Sequence, residues 1–184
     1  MKTRILISVL CFVVLSCAGS KSEAELAEKQ KSYEQLKSLV ASGTYQFNAE
    51  VLYPQETQDV ANTANALLGN FGNEGSYVGL KPGYFLKIQN DSAMAKLPYI
   101  GEIRRVNSYG KSDNAGIIFN SPIKDYAAES TKRMGMQVKL ETKDVLESYD
   151  VIIKLYSNHT ADVTINSSNR SIIRYKGVIV PVAD

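Results

Sequence analysis

The chain has 184 residues, with 21 Lys+Arg against 19 Asp+Glu, 44% hydrophobic residues, two cysteines and one histidine. That length suits one domain with a sizeable core. The near-neutral balance excludes the strong basic field that draws proteins to DNA, RNA or anionic lipid.

The first seventeen residues have their own organisation. Lys2 and Arg4 precede an apolar run over residues 5–15, and Ser16-Cys17 follows. A run this short falls well below the roughly 20 residues that an α-helix needs to cross a bilayer. Positive end, apolar centre and small residue together describe a cleaved secretory signal. Val14-Leu15-Ser16-Cys17 resembles the bacterial lipobox, so residues 1–16 are read as a lipoprotein signal peptide and Cys17 as the site of lipid attachment. An ordinary secretory signal cut near Ala18-Gly19-Ser20 is the alternative. Stable anchoring takes more than one acyl chain, a requirement that a diacylated cysteine meets.

Processing would change the charge and the thiols. Removing residues 1–16 takes Lys2 and Arg4 and no acid, leaving 19 residues of each sign. Cys11 leaves with the signal and Cys17 carries lipid, so the folded domain has no thiol. Disulfides, cysteine metal sites and cysteine nucleophiles are excluded with it.

Residues 17–42 are read as a lipidated tether and one helix. The helix is predicted over residues 22–40, with Ser22 as N-cap and Glu23 and Glu25 at the positive end of the dipole. Leu26, Tyr33, Leu36 and Val40 form one apolar stripe, and Ser42-Gly43 stops the helix. The stripe suits packing against the domain, and a partly detached spacer beside the membrane is the second reading.

From Thr44 the period becomes two: Tyr45, Phe47, Ala49 and Val51 alternate with Gln46, Asn48 and Glu50. Residues 54–76 are polar, with a short helix suggested by Ala61, Ala64, Leu67 and Leu68, and are read as a mobile or functional loop. Strands are then predicted over 84–88, 93–100, 103–109, 115–119, 138–142, 149–156, 161–165 and 171–180. Asn, Asp, Ser and Gly occupy the turns between them. Residues 126–133 are read as a helical turn or loop. Short, evenly spaced antiparallel strands over 43–184 predict a mainly β fold, a single barrel or sandwich preceded by one N-terminal helix.

Three segments carry a resemblance to a known family: Lys87-Ile88-Gln89-Asn90-Asp91, Leu97-Pro98-Tyr99-Ile100-Gly101 and Gly116-Ile117-Ile118-Phe119. In this order, behind a lipobox and a helix, they resemble the Bacteroidetes envelope proteins known as domain of unknown function 4251. The resemblance extends over about residues 42–181. It implies a single antiparallel β domain of lipocalin-like barrel type in a Gram-negative envelope, and it brings no catalytic residues. Ala18 after Cys17 resembles an outer-membrane destination, with the periplasmic face favoured over the cell surface.

The chemistry the residues offer is sparse. His159 falls in a predicted turn, where a solvated role is expected, and no phosphate loop or metal-ligand spacing appears. Glu141, Asp144, Glu147 and Asp150, interleaved with Lys139 and Lys143, read as a charged turn. Eleven tyrosines suit strands and half-buried surfaces, and Tyr77, Tyr84, Tyr99 and Tyr109 are candidates to line one cavity. Asp91-Ser92-Ala93 resembles the acceptor of Bacteroidetes O-glycosylation at Ser92, but Asn90-Asp91-Ser92 is also a good turn, and the turn is the favoured reading.

These readings point to a non-enzymatic, lipid-anchored envelope protein that binds a small apolar or glycan ligand or a partner protein. The membrane is reached through Cys17; no cofactor, metal or nucleic acid is expected. An accessory subunit docking on an outer-membrane complex is the alternative, and a carboxylate-based enzyme comes third. An enclosed apolar cavity would favour the small ligand, an exposed apolar patch a protein partner, and facing buried carboxylates an enzyme.

Overall fold

The computed structural model describes residues 19–54, 77–104, 116–145 and 147–182. Cys17 and the stretch carrying Ala61, Ala64, Leu67 and Leu68 lie outside them, as does Tyr109.

Helix α1 (Gly19–Ala41) starts three residues before the predicted cap, so Ser22 lies inside it. It stops where expected. Ser42 N bonds Ser38 O at 3.0 Å, and Gly43 takes a left-handed φ of 67° with its N–H on Val40 O. Glycine alone reaches that conformation without a steric cost. The stripe is used in part: Leu36 and Val40 are buried, Tyr33 and Leu39 pack against the core, but Leu26 is 56% exposed. Residues 23–31 are all exposed. The helix therefore docks by its last turns, against β1 and β7, and its first half stands clear.

The strands are β1 (Thr44–Tyr53), β2 (Val78–Gly79), β3 (Phe85–Gln89), β4 (Ser92–Pro98), β5 (Gly116–Thr131), β6 (Gly135–Lys143), β7 (Ser148–Tyr156), β8 (Thr160–Ser167) and β9 (Ile173–Pro181). From β3 to β9 each strand pairs antiparallel with the next, β1 pairs with β3, and β9 returns to pair with β1. Eight strands thus close into a barrel, and the sandwich alternative falls away. Two-residue β2 extends the wall beside Val51 and Leu52, beyond the point where β3 stops.

Inward and outward residues alternate along the strands, as in β7, where Tyr149, Val151, Ile153 and Leu155 are buried and their neighbours are not. The buried set from all eight strands includes Phe47, Leu86, Leu97, Ile117, Val138, Ile153, Val163 and Ile173, each 0–1% exposed. An enclosed space wide enough for water would leave accessible surface on the residues bordering it. These have almost none, so side chains fill the barrel, as its strand number permits. Phe119 and Tyr149 stack across this core with ring centroids 4.6 Å apart.

Two predicted elements need correction. Residues 126–131 are neither helical turn nor loop; they continue β5, and the turn to β6 comes only at residues 132–134, where Met134 has a φ of 53°. Along that part of β5 both faces are exposed, so the apolar–polar alternation that identifies a strand is missing. Of the strand predicted over 103–109, Ile103 forms only an isolated bridge with Arg170 and residues 105–109 lie outside the described residues; β4 pairs directly with β5.

Closure between β1 and β9 passes through a bulge at Ala49/Val51, opposite Gly177. A Cβ on Gly177 would sit inside the Asn48 carbonyl, a backbone atom that cannot swing aside. Gly177→Ala is therefore expected to destabilise the fold by about 2 kcal/mol or more, read from the urea midpoint. A change under about 0.5 kcal/mol would show that the seam has slack.

Candidate functional site at the distal rim

The barrel has two unlike ends. Helix α1 enters at one, beside the turns at residues 90–91, 132–134 and 157–159. The other, distal end carries the connections after β4, β6 and β8, and there the polar residues of the core collect.

Glu147 and Arg170 are the buried charges among the described residues. Arg170 Nε donates to Glu147 Oε1 at 3.1 Å and lies 3.3 Å from Oε2. Tyr149 OH donates to Oε2 at 2.9 Å, and Ser167 Oγ donates to Oε1. Ser167 Oγ also accepts the backbone N–H groups of Asn169 and Arg170, which folds the β8–β9 connection around the pair. A carboxylate taken out of water needs this degree of satisfaction.

The same charge pair holds the connection after β4. The Arg170 guanidinium lies 5.1 Å from the centre of the Tyr99 ring. Tyr99 OH stands 2.8 Å from both Ser171 Oγ and the Glu102 carbonyl, and Glu102 N donates to Ser171 Oγ at 3.1 Å. Backbone bonds from Ser171 N to Glu102 O and from Arg104 N to Asn169 O complete the link. Tyr175, buried in β9, donates to Pro98 O at 2.7 Å. Pro98 ends β4 as its lack of an N–H dictates.

This scaffold fixes a rim that exposes apolar side chains. Ile103 is 42% exposed, Ile172 48% and Val145 89%. Beside Ile103 and Ile172 the flanking backbone is bonded, Ser171 N to Glu102 O and Arg104 N to Asn169 O, so these exposed apolar side chains stand on an ordered support. At the wall nearby, Tyr77 is half-exposed against Tyr53, and Arg174 lies 5.9 Å over the Tyr53 ring.

Glu147 lies in the β6–β7 connection, as the charged-turn reading has it, but it is buried there. Its partner Arg170 lies 23 residues away, and only closure of β7 on β8 brings the two together. Asp144 does act locally, accepting from Val145 N at 2.7 Å. Of the candidate cavity tyrosines, the three described are not gathered: Tyr77 meets Tyr53, Tyr99 meets Arg170, and Tyr84 packs on the core. His159 lies in the β7–β8 turn with a φ of 61°. Ser92 is exposed at the start of β4, just past the β3–β4 turn, where its hydroxyl donates to Gln89 O at 3.0 Å. Among the described residues no group of three His, Cys, Asp or Glu is placed to hold a metal. Both oxygens of Glu147 are already engaged, which suits support, not proton transfer.

Fold and rim together define the class: a closed, side-chain-filled antiparallel barrel, entered by a helix at one end and capped at the other by a polar scaffold. The family profile described as "Domain of unknown function (DUF4251)" matches residues 27–179, and the chain belongs to that family. A crystal structure of a DUF4251 family protein from Bacteroides eggerthii has a similar fold, with a TM-score of 0.57 and 14% identity. The match covers 82% of this chain and 87% of that one. No curated protein matches the sequence.

Two sets of outcomes follow from the buried groups. Arg170→Ala removes the cation bonded to the buried Glu147 carboxylate, and Glu147→Ala removes the carboxylate that Arg170 bonds; each is expected to cost about 3–5 kcal/mol in urea denaturation. The double variant Glu147→Leu/Arg170→Met should recover part of that loss; single variants costing under about 1 kcal/mol would remove the pair from its structural role. Burial raises the hydroxyls of Tyr45, Tyr149 and Tyr175 well above the ordinary value of 10.0, with the Glu147 carboxylate adding to the effect at Tyr149. A raised folded pKa contributes stability below about pH 10 that is lost as pH rises further. Absorbance at 295 nm should show these tyrosines ionising only as the barrel unfolds; ionisation of all eleven near pH 10 in the native fold would contradict it.

Proposed function

We propose that this protein is a non-enzymatic envelope lipoprotein that docks a partner protein on its distal rim. Cys17 carries the lipid, and the exposed first half of α1 serves as a spacer between membrane and barrel. A helix of 23 residues extends about 35 Å at the usual rise. The anchor enters at the helix end of the barrel, so the rim is the end turned away from it.

One observation carries this reading: Ile103, Ile172 and Val145 are exposed on a scaffold whose polar groups are internally bonded, while the barrel interior is filled. A filled interior weighs against an enclosed apolar ligand, and an apolar rim suits a protein surface. The accessory-subunit reading docks instead through helix α1 and the loop over residues 54–76, most of which lies outside the described residues.

The test is in-cell crosslinking from a photoreactive residue at position 145, followed by mass spectrometry. A discrete adduct with another envelope protein is expected, lost in the variant Ile103→Asp/Ile172→Asp while the thermal midpoint holds within a few degrees. An adduct that persists in that variant, or none from the wild-type chain, would overturn rim docking. Cys17→Ser is expected to move the protein from the membrane to the soluble fraction; a variant that stays with the membrane would refute the anchor.

A further inference from the structure

A second surface, at the helix end, has a different chemistry. Strand β4 accompanies β5 only as far as the pair Ser92↔Pro122, and the last bond across is Ile123 N to Asp91 O at 2.7 Å. Beyond it, β5 runs on to Thr131 paired with β6 alone among the described residues. Among the described residues, 124–131 thus form an open sheet edge, and in an antiparallel strand alternate residues turn their N–H and C=O groups outward.

The lane beside that edge is empty at its foot. A cleft of about 440 Å³ is lined by Gly43, Asn90, Asp91, Ile123, Lys124 and Tyr126, where a continuation of β4 would lie. The inward row of β5 is uncovered as well. Tyr126, Ala128 and Ser130 stand opposite Leu140, Val138 and Met136, which are buried, yet all three are exposed. Tyr126 OH reaches Tyr45 OH at 3.0 Å, which fixes its ring as one wall of the cleft. The outward row reads Asp125, Ala127, Glu129, with Ile123/Asp125 marking a bulge just before it.

We propose that the open edge of β5, residues 124–131, binds an extended segment of a partner protein by strand addition. Only a polypeptide backbone supplies donors and acceptors at the spacing of a sheet lane, and the cleft at its foot takes one side chain. Asp125 and Glu129 favour a segment with Lys or Arg directly opposite, and Ala127 and Ala128 allow close approach. A second copy of this chain fits less well, because its β5 would bring its own Asp125 and Glu129 to the same edge. This surface is independent of the rim: failure of rim docking leaves it standing, and its own failure leaves the rim.

The test uses the full chain in detergent and, as probe, a fluorescein-labelled decapeptide alternating valine and lysine. In the free protein alternate amides within 124–131 should exchange rapidly with solvent, and the peptide should slow them at least tenfold. Asp125→Lys/Glu129→Lys, changes confined to exposed positions, should weaken the lysine peptide at least tenfold and favour one alternating valine and glutamate. Full protection of residues 124–131 in the free monomer would overturn the proposal, as would exchange rates indifferent to peptide. Protection that instead grows with protein concentration alone would assign the edge to a second copy and overturn the partner.

Discussion

Everything in this molecule depends on the seam where β9 returns to β1. Without that closure the chain would be an open antiparallel sheet with one face of large apolar side chains in water and two long free edges. With it, Phe47, Ile153, Val163 and Tyr175 meet across a filled interior. The seam needs a backbone-to-backbone approach that only glycine permits at position 177, and the bulge in β1 lets the register pass it. A domain with no thiol has no covalent substitute for this closure.

Closure also creates the distal rim. It brings the β6–β7 and β8–β9 connections side by side, so Glu147 and Arg170 meet in a place sealed by Tyr99 and Tyr149. The pair contributes less as a source of net stability than as a constraint, since a buried ion pair roughly offsets its own desolvation. Its consequence is geometric: residues 99–104, Glu147 and residues 167–171 are held in one arrangement, with Ile103, Ile172 and Val145 exposed beside them. The helix end contrasts with this, because β5 outruns β4 there and leaves an edge and a cleft uncovered.

Much of the fold was legible in the sequence because its signals are local. Period-two alternation marked β1 and β7, Gly43 stopped the helix, and Asn90 and His159 sat in hairpin turns with left-handed backbones. Misreadings occurred where local signals fail. Residues 126–131 alternate in space but not in polarity, because their inner face is exposed and no element among the described residues covers it. Glu147 looked like its solvated neighbours, because nothing near it in sequence reveals a partner in another connection. Leu26 belonged to the apolar stripe by spacing and yet stands exposed, since α1 extends past the barrel it docks on. The rim isoleucines were invisible for a related reason. An apolar residue in a loop gives no sign, in sequence, of whether it turns in or out.

The central claim is that recognition uses the surface of this barrel, whose interior is already full. Native mass spectrometry of the protein, purified from its own membranes in mild detergent, addresses that claim most directly. The account predicts the mass of the covalently modified chain, alone or with a protein partner, and no small molecule retained. A stoichiometric apolar ligand, released only when the barrel unfolds, would contradict it.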